Sequence, residues 1–517
     1  MDYIKSKRDG LMCGDETILL RGFGLGGWLL PEGYMWKLYS KCDRPRRMEA
    51  MIQKLCGTEY AEDFWNKYYN AYIREKDIAL IAQEGFNSVR LPLNARHLCQ
   101  TIEGETTFIP ETIHRVDELI SWCRKYEIYV ILDMHGAPGG QTGQNIDDSE
   151  NDEPELFMNQ DYRSELIEIW KLLARRYKNE VVVAGYDLLN EPLPNWSNKY
   201  NDRVLPLYRD IISEIRKIDR EHMIILEGVH WATDFSVLDD FTKEEAKDNI
   251  LLQFHKYWNN PDKETLDEFL KISERLNIPL FMGEGGENNI DWYTTAFPMY
   301  ERLNISWSFW SYKKMACINS PITFDIPEGW DELIDFLDGK KELNQDRAKN
   351  IFNNFIKCVN EDRINTEVIC ALKRQVPVTI PCEAYESYEV STDRRQGASL
   401  RMSEPVTLLF ENGKTGEVDY RGQGGAVQPT EENIVVELCE QENISLWFLS
   451  VKDSVRATVK TNGKGTLGIR MGDKEYLYPV SGEGNCSTDF NCEPGCKYII
   501  TLTCHEGIIQ VDTLDLI

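Results

Sequence analysis

A chain of 517 residues is too long for one ordinary core, so two domains are expected, one of them a large barrel. With 58 lysines and arginines against 86 aspartates and glutamates the formal charge is −28, which disfavours nucleic acid, anionic lipid and polyanionic substrates and favours a neutral one. The opening "MDYIKSKRDGLMCGDETILLRG" has no apolar stretch of signal-peptide length and no window reaches the roughly 20 apolar residues of a membrane span, so with Met1 as the natural start a cytoplasmic location and no membrane partner are expected.

From residue 20 to about 360, short apolar runs alternate with amphipathic ones. The runs are "LRGFGLGGW" (20–28), "FNSVRLPLN" (86–94), "YVILDMHG" (129–136), "VAGYDLLNEP" (183–192), "MIILEGVHW" (223–231), "LLQFHKYW" (251–258), "PLFMGEGGE" (279–287) and "SWSFWSYK" (306–313). Between them lie helical patterns such as "DYRSELIEIWKLLARRYK", where Leu166, Ile169, Trp170 and Leu173 share one face. Eight strand–helix alternations predict an α/β fold, a (β/α)₈ TIM barrel, over residues 1–371. Within each run the apolar part comes first, and Arg90, His135, Asn190, Glu191, His255, Tyr257 and Glu284 collect toward its C-terminal end, the rim where barrel active sites sit.

A linker is expected at 372–379. From 380 to 517 short alternating stretches ("SLWFLSV", "VRATVKT", "TLGIRM", "KYIITLTC", "IIQVDTLDL") with glycine-rich turns between them predict a C-terminal all-β sandwich. The fourteen cysteines are spread along the chain; only Cys486, Cys492 and Cys496 cluster, without C-x-x-C spacing, so reduced structural thiols are expected and no metal. The acidic "NIDDSENDEPE" (145–155) reads as a solvated loop, with an active-site cover as the alternative.

The pieces "GFNSVRLP", "LDMHGAPGGQ", "LLNEP", "HKY", "GEGG" and "SFW", in this order and on these strands, resemble the retaining glycoside hydrolases of family 5 over roughly residues 20–360. The resemblance implies Glu191 as general acid/base and Glu284 as nucleophile, with Arg90, His135, Asn190, His255, Tyr257 and Trp310 binding substrate or holding the two acids, and no cofactor. Chemistry asks for such a pair: one acid protonates the leaving oxygen and one carboxylate attacks the anomeric carbon, at a separation near ~5 Å. Arg90 and Tyr257 would keep Glu284 ionised, and the charge of Glu284 would hold a proton on Glu191. Glu287, beyond the family's position, is a rim ion pair or a substrate contact.

The stretch "GFGLGG" (22–27) satisfies G-x-G-x-x-G through Gly22, Gly24 and Gly27, yet "WLLPEGYMW" after it does not start a helix, so a nucleotide site is not expected. Trp28, Tyr34 and Trp36 there either wall off substrate subsites or pack in the core. The tail is similar at its two ends, "IPCEAYESYE" and "GIIQVDTLDLI", to family 6 and 35 carbohydrate-binding jelly rolls. That likeness matches Glu383 and Asp512 to calcium positions, with Tyr385 where a second acid is usual, and Trp447, Tyr476 and Tyr478 are candidate stacking residues. The long segment between the first two strands resembles exo-acting members. The expected partner is therefore a neutral oligosaccharide or small glycoside, attacked exo in preference to endo; a non-catalytic sugar-binding protein is the competing class. The oligomeric state is open.

Overall fold

The computed structural model describes residues 1–8, 10–38, 42–420 and 428–517. Eight parallel strands close into a barrel: β1 (Arg21–Gly24), β2 (Ser88–Asn94), β3 (Tyr129–Gly136), β4 (Val183–Asp187), β5 (Met223–Glu227), β6 (Ile250–His255), β7 (Leu280–Gly286) and β8 (Ser306–Trp310), each beside its sequence neighbour and β8 beside β1. Strands buried on both faces read as nearly continuous apolar runs, which is why all eight were legible. Every residue of β2, β3, β6 and β7 is buried.

The first unit comprises Met1–Lys256, Phe269–Gly285 and Asn304–Ile364; the second comprises Tyr257–Glu268, Gly286–Leu303 and Asn365–Ile517. Two stretches from the barrel-forming part of the sequence thus belong to the second unit, and residues 378–381, at the end of the expected linker, are strand.

In the first unit, helices α1 (Pro45–Cys56), α2 (Thr58–Tyr72) and α3 (Glu75–Gln83) join β1 to β2, α4 (Pro110–Lys125) joins β2 to β3, α5 (Gln160–Tyr177) joins β3 to β4, and α6 (Val204–Arg216) joins β4 to β5. Each buries one stripe: in α5, Leu166, Ile169, Trp170 and Leu173 are fully covered, and the Trp170 indole donates to the Leu188 carbonyl (3.1 Å), tying the helix to the segment just past β4. The bottom of the barrel is apolar. Ile4 and Leu11, from a small antiparallel sheet of residues 4–18, pack there with Leu20, Ile131, Ile225, Leu251 and Phe281.

In the second unit, nine strands form an antiparallel assembly: β9 (Val378–Pro381), β10 (Ser387–Glu389), β11 (Thr407–Phe410), β12 (Ile434–Cys439), β13 (Asn443–Leu449), β14 (Ser454–Met471), β15 (Lys474–Ser481), β16 (Gly484–Asn491) and β17 (Lys497–Leu516). The expected separate strands "VRATVKT" and "TLGIRM" are one strand, β14, and "KYIITLTC" and "IIQVDTLDL" are one strand, β17; the two pair along most of their length through bulges. The glycines between them are not turns. A Cβ on Gly465 would lie 2.1 Å from the Glu506 carbonyl oxygen, so glycine marks where two backbones press together.

Of the expected calcium positions, Asp512 accepts from Lys460 Nζ (2.6 Å), Glu383 is buried with its carboxyl pKa raised by burial and by the charges of Asp291 and Asp512, and Tyr385 is packed under the Arg401 guanidinium, 3.6 Å from the ring centre. Among the stacking candidates, Lys497 lies 3.8 Å over Trp447, Tyr476 is edge-on to Phe490, and the Tyr478 hydroxyl donates to Ser487 O (2.8 Å). All fourteen cysteines are free thiols, Cys486 and Cys492 buried and Cys496 partly so. Among the described residues no helix is long and apolar enough to cross a membrane.

Candidate functional site

Above the apolar floor the barrel interior turns polar, and one cation organises it. Arg90, third residue of β2, is fully buried. Its Nη1 donates to Glu284 Oε1 (2.5 Å), its Nε to Asp187 Oδ2 (2.8 Å), and its Nη2 to Asn190 Oδ1 (2.8 Å) and Glu227 Oε1 (3.0 Å), with Asp133 3.2 Å away. Burial alone would lower the guanidinium pKa, but these four carboxylates raise it well above its ordinary value, so the cation is fixed. Burial drives the other way on the acids: it raises Asp133, and raises Asp187 strongly, against the pull of Arg90.

Glu284 lies inside β7. The glycines flanking it are filled against rather than open: a Cβ on Gly283 would fall 2.1 Å from the Gln253 side chain and one on Gly285 2.7 Å from the Lys256 carbonyl. The space beside Glu284 is therefore taken by β6, not reserved for a ligand. Asn190 and Glu191 are not on β4, which ends at Asp187, but on the turn beyond it, and Glu191 has φ +44°. Its backbone N–H donates to Glu227 Oε2 (2.7 Å), and its Oε1 is 2.7 Å from His255 Nδ1. The Glu191, His255 and Glu284 donor atoms lie within 4.8 Å of one another. These three are also the one group among the described residues with metal-ligand spacing, but Arg90 at 2.5 Å from Glu284 already supplies the positive charge.

Burial raises the Glu191 carboxyl most, the His255 contact opposes it, and the charges of Glu284 and Glu227 add to the rise. His255 behaves conversely: burial disfavours its cation, yet Glu227, Glu284 and Glu191 together raise its pKa well above the ordinary imidazole value. The sequence left open whether His255 meets sugar or acid; it meets the acid.

His135 Nδ1 is 2.8 Å from Asp133 Oδ2, and Asn190 Nδ2 is 3.4 Å from His135 Nε2. With Asn190 Oδ1 committed to Arg90, this order places the imidazole proton on Nδ1. The His135 ring stacks on Trp310 (centroids 5.3 Å, planes 10° apart), and the Trp310 indole donates to the Tyr34 hydroxyl (3.1 Å). Gly24 and Gly26 make room for that indole, since a Cβ on either would come within 2.4 and 2.7 Å of it. The "GFGLGG" stretch is thus the seat of a tryptophan.

Two of the expected substrate-contacting residues are packed in the core. Trp28 is buried with its indole donating to the Tyr69 carbonyl (2.8 Å), and Trp36 is enclosed by Phe64, Trp65, Tyr68 and Phe355; both are core residues, because α2 folds over them. Tyr257 and Glu287 belong to the second unit, where the Tyr257 carbonyl accepts from Asn288 Nδ2 (2.8 Å). The acidic 145–155 segment is not simply solvated: Asp147 is buried and accepts from the N–H groups of Thr142, Gly143 and Ser149, while Asp148 accepts from Arg46, Asn94 and Arg96. Five residues were missed: Asp133, Asp187, Glu227, Gln253 and Gln141, the last of which donates its amide to the carbonyls of His135 (2.7 Å) and Asn190 (3.0 Å). The signal of the first four was present as polar side chains inside otherwise apolar strand runs.

Residues 49–316, just over half of the chain, match the family model for cellulase, glycosyl hydrolase family 5. The chain belongs to glycosyl hydrolase family 5. Among curated family members and relatives, a beta-xylosidase of Phanerodontia chrysosporium is 31% identical over 258 residues, 50% of this chain and 52% of that protein. Endoglucanase C of Acetivibrio thermocellus is 23% identical over 310 residues, covering 49% of this chain and 87% of that protein. The alignment thus spans about half the length of the first of these relatives. Among solved structures, rutinosidase from Aspergillus niger superimposes with a TM-score of 0.47 at 18% identity, over 58% of this chain and 90% of that one.

Proposed function

We propose that this family 5 chain is a retaining glycoside hydrolase that releases terminal sugars from neutral oligosaccharides or small glycosides, with Glu191 as acid/base and Glu284 as nucleophile. The observation that carries the reading is two buried carboxylates within 4.8 Å in opposite electrostatic settings. A retaining pair stands about 5 Å apart, whereas an inverting pair leaves room for a water between its members. Glu284 receives a charge-assisted hydrogen bond from Arg90, which favours the anion a nucleophile needs. Glu191 sits in surroundings that raise its pKa, which favours a proton available to the leaving oxygen.

In the first step Glu191 gives its proton to the glycosidic oxygen as a Glu284 oxygen bonds to the anomeric carbon and the leaving group departs. In the second, Glu191 takes a proton from water, whose oxygen displaces Glu284 and restores the starting anomer. The Trp310 face, held parallel to His135, offers an apolar surface to the ring being cleaved. The exo preference rests on the long β1–β2 connection, and the names of the relatives include both exo- and endo-acting activities.

Aryl β-glucosides and β-xylosides with nitrophenyl leaving groups test this reading. Wild type should hydrolyse at least one with retention by NMR, and Glu284→Ala and Glu191→Ala should each lose about 10²–10⁴-fold or more. Net inversion, or activity surviving Glu284→Ala, would overturn it. Rapid loss of polymer viscosity ahead of monosaccharide release would replace exo with endo action.

A further inference from the structure

Glu227 is buried at the end of β5 and its carboxylate meets four groups at once. Oε2 accepts from the Glu191 backbone N–H (2.7 Å); Oε1 accepts from Arg90 Nη2 (3.0 Å) and from the Gln253 amide, and lies 3.5 Å from His255 Nε2. Its own carbonyl accepts from the Tyr208 hydroxyl of α6 (3.0 Å). Resting on the assignment of Glu191 as the acid, we propose that Glu227 is a positioning residue that holds Glu191 in place and keeps a proton on the Glu191–His255 pair.

Two routes lead from Glu227 to Glu191. The first is mechanical: the Glu191 backbone has positive φ, a conformation costly for a side-chain-bearing residue, and the N–H···Oε2 bond is one of the contacts that holds it. The second is electrostatic. Glu191 Oε1 and His255 Nδ1, 2.7 Å apart, share a proton, and an anion at His255 Nε2 favours both forms that retain it. The other charged or titratable groups of this layer are Arg90, Asp133, Asp187 and Glu284, with His135 on β3 and Tyr208 on α6, and none except Glu227 contacts both His255 and the Glu191 backbone in the hydrogen bonds and ion pairs described.

Glu227→Gln keeps an acceptor for the Glu191 N–H and removes the anion. Loss of a negative charge lowers the pKa of the Glu191–His255 pair, so the alkaline limb of kcat/KM should move to lower pH. On a 4-nitrophenyl glycoside, β-glucoside or β-xyloside according to which wild type cleaves, kcat should fall about tenfold or more, a fraction of the 10²–10⁴ that general acid catalysis supplies, with KM little changed. On the matching 2,4-dinitrophenyl glycoside, whose leaving group needs no proton, kcat/KM should stay within about threefold of wild type. Equal losses on both substrates, or an unmoved alkaline limb, would overturn the proposal and leave Glu227 a structural residue. If Glu227→Gln does not fold, Tyr208→Phe releases the Glu227 main chain with every carboxylate intact, and the same leaving-group comparison decides. Glu191→Ala is the reference: if it lacks the leaving-group signature, the assignment of the acid itself fails, an outcome separate from failure at Glu227.

Discussion

Replacing Arg90 with methionine removes the cation shared by Glu284, Asp187, Glu227 and Asp133 while roughly keeping its volume. Two unit charges about 4 Å apart attract by about 4 kcal/mol at an effective dielectric of 20, so four such pairs would sum to well over 10 kcal/mol. That sum is never lost, because an uncompensated carboxylate takes up a proton instead, at a cost near 1.4 kcal/mol per pH unit above its ordinary pKa: about 4 kcal/mol per acid at pH 7, but only about 1.5 at pH 5. Burial already pushes Asp133 and Asp187 up against the pull of Arg90, so both are poised to take up that proton. The expected destabilisation at pH 7 is therefore the 3–5 kcal/mol typical of breaking a buried ion pair, roughly 5–10 °C in the barrel's thermal transition. The sign follows from proton uptake. Without the cation the folded-state pKa values of these acids lie above their unfolded values, so the folded variant binds more protons and regains stability as pH falls. Calorimetric melts of wild type and Arg90→Met at pH 5 and pH 7.5 should show a deficit at pH 7.5 at least twice that at pH 5. Equal deficits would mean that the layer is held by shape rather than by charge.

Gly24→Ala forces a Cβ to within 2.4 Å of the Trp310 ring, so about 1–3 kcal/mol of stability should be lost and KM should rise as the indole tilts off His135; an unchanged melt would refute the close packing. Asp147→Ala leaves the N–H groups of Thr142, Gly143 and Ser149 without their acceptor, and amide hydrogen exchange across 142–149 should accelerate with little change elsewhere in the barrel. In the second unit burial pushes Asp291 up to about 6, so the folded form binds an extra proton between roughly pH 4 and 6, and the stability this confers at low pH is lost as pH rises through 6. Asp291→Asn should therefore raise the melting temperature of that unit at pH 7.5 but not at pH 4, and a uniform shift would count against the burial argument.

The resemblance drawn from "LLNEP", "HKY" and "GEGG" identified the family and brought Arg90, His135, Asn190, Glu191, His255, Glu284 and Trp310 to one place, since motifs at successive strand ends must converge once the barrel closes. It could not separate Trp28 and Trp36, which look equally able to line a subsite, from the core they occupy, because that depends on where α2 folds. Nor did "LDM", "GYD" and "ILE" reveal that Asp133, Asp187 and Glu227 meet a single arginine, because a carboxylate inside an apolar run is equally compatible with facing the helices.

By itself the sequence determined the strand–helix alternation and the apolar-to-polar direction of each strand, properties of local pattern and chemical type, and through the family resemblance it singled out Glu191 and Glu284 as the expected pair. Only the tertiary structure decided which carboxylates share Arg90, why glycines 24 and 26 must be small, and that β14 and β17 run unbroken through their glycines. Those depend on inward or outward facing and on strand stagger, which are set when the barrel and the sheet close and bring together residues far apart in the chain, 194 positions for Arg90 and Glu284.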